Sequence, residues 1–419
     1  MRKILIVGAG HAGLHLAHGL LSHGYDVTVI TGQSSQEIRT GKPSISQWTF
    51  PTALEHERAL DLDFWSALSP QVREQKLFFV PQDREHQSHL VGNASAGNGY
   101  IVSVDRRVKM ADWLESFEDR GGKVVIHGVT VTDLDYFSRM FDLIIVAVGH
   151  GELGQLFDYD TSRFSGTRPR ALAQAYVYDL WPDPGESENI GWAAATEEAG
   201  NILLFPCLTQ EGPAHNLLIV DKKGGPMDAW PDRPGPEEQL RRMKDLMRKH
   251  LPEFFERTKD AVLVDGPSTR IEDLTPQVRN PVGRLPSGGL VLGMADVVVT
   301  MDPFVGQSWN NSTRCAESYL QSIRDHGDKA FDESFLVNAF DRFWEFGHHN
   351  QEWAEFASTM WDGDNPEFLG HMMMAATQYR EIADRWIQGW DDPSDYQNWM
   401  FDQGEALKYI AEVKARHGD

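Results

Sequence analysis

Two glycine-bearing segments far apart in the chain constrain its fold more than any other feature, because each asks for the same kind of ligand. The first is Lys3-Ile-Leu-Ile-Val-Gly8-Ala-Gly10-His11-Ala12-Gly13-Leu14, an apolar strand running into a GxGxxG turn and then into an amphipathic helix. In that context Gly8 permits the tight turn, Gly10 lets backbone N–H groups approach a pyrophosphate, and Gly13 lets the helix pack on its strand. The helix N-terminus attracts the anion, so the segment predicts a Rossmann-type dinucleotide site.

The second segment begins with an apolar strand, Gly289 to Gly293, and reaches Asp296, whose carboxylate suits ribityl or ribose hydroxyls. Asp302-Pro303 then opens a loop in which Gly306 allows a close backbone approach to a ligand. A helix starting near Ser308 points its N-terminal amides back at that loop, an arrangement that suits a flat anionic ring system. Taken alone, the segment also reads as an ordinary strand, loop and helix.

The chain has 419 residues, 41% of them hydrophobic, enough for a large core and two or three domains. A net charge of −23 argues against nucleic acid and anionic membrane surfaces as partners. No apolar run reaches the length of a membrane span, and the glycine fingerprint interrupts the opening apolar residues before they resemble a signal peptide. Cys207 and Cys315 are the only cysteines, so no disulfide framework and no cysteine metal site are expected, and the location is read as cytoplasmic. His23, His348 and His349 read as solvated surface residues, and no metal is expected.

Asp26 to Ile30 supplies the second strand of a β-α-β unit. The acidic residue that usually follows, to hold a ribose, is replaced by Thr31-Gly32-Gln33. That weakens a plain NAD reading and leaves a flavin open. Residues 45 to 100 read as irregular, with a short strand at Leu77 to Val80 and a surface loop from Gly92 to Asn98. A helix over Val104 to Leu114 carries Arg107 at its start, where a guanidinium could reach cofactor phosphates or form a surface ion pair. Strands follow at Lys123 to Ile126 and Asp142 to Gly149. Between residues 166 and 279 strand-like runs and a helix from Pro236 to His250 suggest an α+β layer over the cofactor face. Residues 312 to 419 read as almost wholly helical, with tryptophans that suit core packing.

These blocks resemble the oxygenase component of styrene and indole monooxygenases. The resemblance rests on Gly8 to Gly13, Val104-Asp-Arg-Arg107, the strand 142–149, Arg279-Asn-Pro281-Val with Leu285-Pro-Ser-Gly288, Gly293 to Asn311 and Asp391-Asp-Pro393. It implies an α/β chain of the p-hydroxybenzoate hydroxylase fold. A Rossmann-type FAD-binding domain would comprise 1–44, 105–165 and 280–330, an α+β substrate domain 45–104 and 166–279, and a helical C-terminal region 331–419.

The family's chemistry implies FAD as cofactor, delivered reduced by a separate NADH-dependent flavin reductase. Oxygen would form a flavin C4a-hydroperoxide that epoxidises an aromatic alkene such as indole or styrene. Because the oxidant is borne by the flavin, no catalytic side chain is assigned. The family pattern adds Thr31, Arg107, Asp296, Pro303, Gly306, Gln307 and Asn310 to the fingerprint residues Gly8, Gly10, His11, Ala12 and Gly13 as cofactor contacts. It places Ile45, Ser46, Gln47, Thr49 and Ile101 in the substrate pocket. Ile45 stands where the styrene branch has Asn and the indole branch has Ser, which makes the pocket more apolar. Val148-Gly149 replaces the Asp-Gly pair of one-component hydroxylases, as an enzyme without a nicotinamide step could tolerate. A one-component NAD(P)H-dependent hydroxylase and a non-catalytic flavin-binding protein are the alternatives; a halogenase is disfavoured because Trp-x-Trp-x-Ile-Pro is absent. A homodimer is left open.

Overall fold

The computed structural model describes residues 2–45, 47–149, 151–166, 168–178, 180, 185–361 and 367–418. Its first sheet orders the strands Val282–Arg284, Leu290–Gly293, Leu143–Val146, Lys3–Val7, Asp26–Thr31 and Lys123–Ile126. All neighbours are parallel except the hairpin formed by the first two. Ile4 to Val7 are buried without alternation, as expected of a parallel strand covered on both faces. The helix His11–Ser22 follows directly and packs against Ser308–His326 and Arg106–Asp119. A Cβ at Gly19 would lie 2.7 Å from Leu320, so this residue sets how closely the two long helices approach.

The second sheet runs Val262–Leu263, Arg170–Tyr178, Gly212–Lys222, Asn201–Thr209, Gly191–Thr196, Glu74–Val80 and Ser88–Asn93, with Thr269–Leu274 also paired to Arg170–Tyr178. It has two apolar faces. Ala171, Ala173, Ala175 and Val177 face the helices Pro236–His250 and Pro252–Thr258. Leu172, Leu203, Phe205 and Leu218 face the main core shared with the first sheet. The two-residue period thus puts one set of side chains under the outer helices and the other over the cofactor side.

Segment 45–100 is more ordered than its composition suggests, with a helix Pro51–Ala59 and the hairpin Glu74–Val80 and Ser88–Asn93. Gly92 is a strand residue and not the start of a surface loop. A Cβ there would lie 2.4 Å from the Ala383 carbonyl, so the glycine lets the helix Arg380–Gln388 lie on the strand. The helices Glu333–Thr359, Glu367–Gln378, Arg380–Gln388 and Gln403–His417 complete the chain, and Trp353, Trp386, Trp390 and Trp399 are buried among them. No helix of the described residues is long and apolar enough to cross a membrane.

Candidate functional site

A cavity of about 530 Å³ opens where the C-terminal ends of Lys3–Val7, Asp26–Thr31 and Leu143–Val146 meet the second sheet. Ligands of open parallel sheets bind at such strand ends. The fingerprint builds its floor. Gly8 holds φ +117°, and a Cβ on it would lie 2.4 Å from the Ala147 carbonyl. Gly13 does not line the cavity; a Cβ there would meet the Gly8 carbonyl at 2.3 Å, so its role is to let the helix sit on the strand.

Gly8, Gly10, His11, Ala12, Thr31, Asp296 and Pro303 all line the cavity, joined by Val148 and Gly149. The Asp296 carboxylate accepts hydrogen bonds from Ser308 Oγ, 3.1 Å from both oxygens. The Gln33 amide N–H donates to Thr31 Oγ1 at 3.3 Å, closing the turn that stands in place of the usual acid.

Arg107 departs from the sequence reading. The helix begins at Arg106 with Asp105 as its cap, and this turns Arg107 inward. Its guanidinium pairs with Asp105 at 2.7 Å and Asp265 at 3.1 Å and lies over the Tyr176 ring, away from the cavity. Arg106 lines the cavity instead, together with Arg270. Burial and the neighbouring Arg270 charge both lower the Arg106 pKa, and its Nη1 donates to the Lys42 carbonyl at 3.4 Å. Arg270 is paired with Glu272, itself a cavity residue, at 2.7 Å, so the attraction for an anion at this wall falls to Arg106.

Of the residues read as the substrate wall, Ile45 lines the cavity and Ser46 lies outside the described residues. Gln47, Thr49 and Ile101 are fully buried and do not line it. Gln47 Oε1 accepts from the Tyr176 hydroxyl and from Ser44 Oγ, Thr49 Oγ1 accepts from Lys109 Nζ, and Ile101 forms a bridge with Val72. Their polarity or bulk serves the packing behind the wall.

The loop after Asp302 is held from three sides. The Asp302 carboxylate caps the Phe304 amide at 2.9 Å and pairs with Arg170 Nε of the second sheet at 2.5 Å. Gln307 Nε2 donates to the Trp390 carbonyl at 2.5 Å. Asn310 accepts from the Phe50 amide at 2.8 Å and donates to the Trp48 and Gly306 carbonyls at 3.2 and 3.1 Å. Gly306 adopts φ +65°, and a Cβ on it would strike the Trp48 ring at 2.5 Å. Gly306, Gln307 and Asn310 therefore shape the loop without lining the cavity, while Trp48, stacked 3.9 Å from Phe205, closes the space beside it.

His11 heads the first helix and packs its ring on Trp309 at 4.8 Å. Burial dominates its acid–base behaviour and lowers its pKa to about 4, against the opposing hydrogen bond from Glu57. A histidine held neutral in the fold binds a proton more readily when unfolded. His11 therefore contributes stability that is complete above about pH 6.5 and is lost as the pH falls towards 4. We expect that loss to reach about 3 kcal/mol at most. Urea unfolding at pH 7 and pH 4.5 checks it, since the His11→Phe variant should lose less stability over that interval; equal losses would refute the assignment.

His348 and His349, read as solvated surface residues, are half-buried and lie with Glu352 so that their ligand atoms fall within 4.8 Å of one another. His348 Nδ1 is already engaged with the Trp344 carbonyl at 2.8 Å.

A tight glycine turn facing a helix N-terminus, the Arg106 guanidinium at the wall, a carboxylate at the second segment and an unpartnered imidazole nitrogen on His11 fit the pyrophosphate and polyol chain of FAD. Comparison with known proteins agrees. Residues 149–257 match the family model described as the styrene monooxygenase A putative substrate binding domain. The chain is 26% identical to styrene monooxygenase StyA of Pseudomonas fluorescens over 408 residues, covering 94% of this chain and 93% of that protein. Among solved structures it superposes on a flavoprotein/dehydrogenase from Cytophaga hutchinsonii with TM-score 0.68 at 16% identity, covering 100% of both chains. The flavin-dependent brominase Bmp2 superposes with TM-score 0.64 at 15% identity, covering 98% of each chain, a likeness of fold alone.

The fold is the p-hydroxybenzoate hydroxylase fold, and the similarity to styrene monooxygenase supports a flavin-dependent monooxygenase with FAD as its cofactor. Within that class the chain is similar to the styrene monooxygenase oxygenases.

Proposed function

We propose that this protein is the oxygenase half of a two-component system in the cytoplasm, taking reduced FAD from a separate NADH-dependent flavin reductase and oxygenating an aromatic alkene such as indole or styrene. The observation that carries this reading is similarity to styrene monooxygenase StyA over 94% of the chain. When bound, reduced FAD activates oxygen and supplies the oxidant, so the protein needs no nucleophile of its own. Its residues bind the cofactor, orient the substrate and exclude water.

Ile45 offers the substrate an apolar wall, and the buried ring of Trp48, backed by that of Phe205, packs against the 303–307 loop at Gly306. An apolar wall selects by shape and hydrophobicity and gives no hydrogen bond to an indole N–H, so styrene and indole should be accepted with little discrimination. Val148 at the cavity wall supports a cycle in which no nicotinamide enters this site.

The test supplies the purified protein with chemically reduced FAD and ¹⁸O₂, then with styrene or indole. We expect styrene oxide carrying one labelled oxygen, indigo from indole, and no NADH consumption by the protein with FAD alone. Product without label, or no product at all, would overturn the reading. Steady NADH oxidation without a reductase would favour the one-component alternative.

A further inference from the structure

Behind the cavity wall, three charged or titratable side chains from three separate helices meet with almost no access to solvent. Glu57 of Pro51–Ala59 accepts from Lys109 Nζ of Arg106–Asp119 at 2.5 Å, and Lys109 also donates to Thr49 Oγ1 at 3.1 Å. The same Glu57 oxygen lies 3.1 Å from His11 Nε2. The Lys109 ammonium sits over the Trp113 and Trp309 rings at 5.0 and 5.1 Å, which further fixes it.

This geometry sets the tautomer of His11. A carboxylate paired with a lysine can only accept, so His11 Nε2 must carry the proton and donate to Glu57. Nδ1 is then a bare lone pair. It is buried and has no hydrogen-bond partner within the protein, although its residue lines the cofactor cavity. Other buried atoms, including Nδ1 of His15 and His18, also lack a partner, but among the described residues His11 alone both carries such an atom and lines the cavity. The other charged or titratable neighbour, His15, lies 6.3 Å away ring to ring and is engaged through Nε2 with Glu317 at 2.7 Å, so it does not compete.

We propose that Glu57, anchored by Lys109, holds His11 as a fixed hydrogen-bond acceptor for FAD, one that takes a donor from the cofactor and not its phosphates. A lone pair repels phosphate oxygens, whereas the ribityl hydroxyls and the N–H groups of the flavin ring are donors. His11 thus selects for the polyol and ring portion of the molecule, and Glu57 and Lys109 act as positioning residues through it. The inference rests on FAD as the occupant of the cavity.

The test uses the whole protein labelled with ¹⁵N-histidine. Without FAD, His11 should show the Nε2–H tautomer with a pyridine-like Nδ1. Adding oxidised FAD should move the Nδ1 resonance upfield if a hydroxyl donates; a movement seen only with dithionite-reduced FAD under anaerobic conditions assigns the donor to the N–H that reduction creates. Fluorescence titration of FAD should give a dissociation constant raised about 5- to 50-fold in His11→Phe, which keeps the stacking on Trp309. In Glu57→Gln the amide can donate to Nε2, so the tautomer should reverse and FAD should bind more weakly. A bound FAD that leaves the wild-type Nδ1 resonance unmoved, or equal affinity in His11→Phe, would overturn the inference. Failure of the wild-type protein to bind FAD in either redox form would instead remove the cofactor reading on which it rests. Should the variants not fold, the wild-type resonance alone decides.

Discussion

A Gly13→Leu variant should bind no FAD and should be less stable than the wild type by about 3 kcal/mol or more, at the upper end of overpacking costs. Its first added atom would sit 2.3 Å from the Gly8 carbonyl, 3.2 Å from Ile6 Cγ2 and 3.4 Å from Ala147 Cβ. The first of these is backbone and cannot step aside. Relief comes only if the helix His11–Ser22 lifts from its strand, which moves its N-terminal amides away from the anion they should face. Gly10→Ala separates folding from binding, since its nearest neighbour would be the Ala147 carbonyl at 3.9 Å. That variant should fold normally and weaken only FAD. Urea unfolding with FAD titration on both proteins decides the matter, and a Gly13→Leu protein with wild-type midpoint and affinity would refute it.

Asp302→Ala should cost about 3–5 kcal/mol, because it leaves the buried Arg170 guanidinium without its carboxylate. Removing the carboxylate also uncaps the Phe304 amide at the start of the flavin-side loop. Arg170 still donates to the Ser358 carbonyl at 3.0 Å, but that neutral acceptor does not balance the charge. Replacing Arg170 by Met in the Asp302→Ala background should recover part of the loss. Denaturation of the two single variants and the double variant measures this coupling. A double variant as unstable as the sum of its parts would show that the ion pair is not the cause.

What could be read from the chain depended on how local the cause was. The helix Pro236–His250 and the start of Ser308–His326 agree with the sequence reading because proline, charge placement and apolar spacing lie within the elements themselves. Arg107 shows the limit. One residue along a helix turns a side chain by about 100°, so placing the phosphate-facing cation on Arg107 and not Arg106 depended on a helix start that Asp105 fixes. Gly92 was misread for a related reason: a glycine in a strand and a glycine in a loop look alike until the helix that needs the space is known. Arg270 was missed as a cavity residue because nothing near it in the chain marks a ligand, and Trp309, inside the second segment, because a tryptophan there reads equally as core. The distant fold brings them there. Glu57 and Lys109, 52 residues apart, carry no motif at all.

Gln307 is held by the carbonyl of Trp390, and Thr52 by the carboxylate of Asp391, whose own carbonyl accepts from Arg314. The flavin-side loop and the start of the Pro51–Ala59 helix are thus held by residues 83 and 339 positions further along the chain. The first β-α-β unit is closed by contacts local to the chain, whereas the setting of the pocket depends on contacts that span most of its length. A variant truncated before Trp390 would accordingly carry the fingerprint without a finished place to hold the ring.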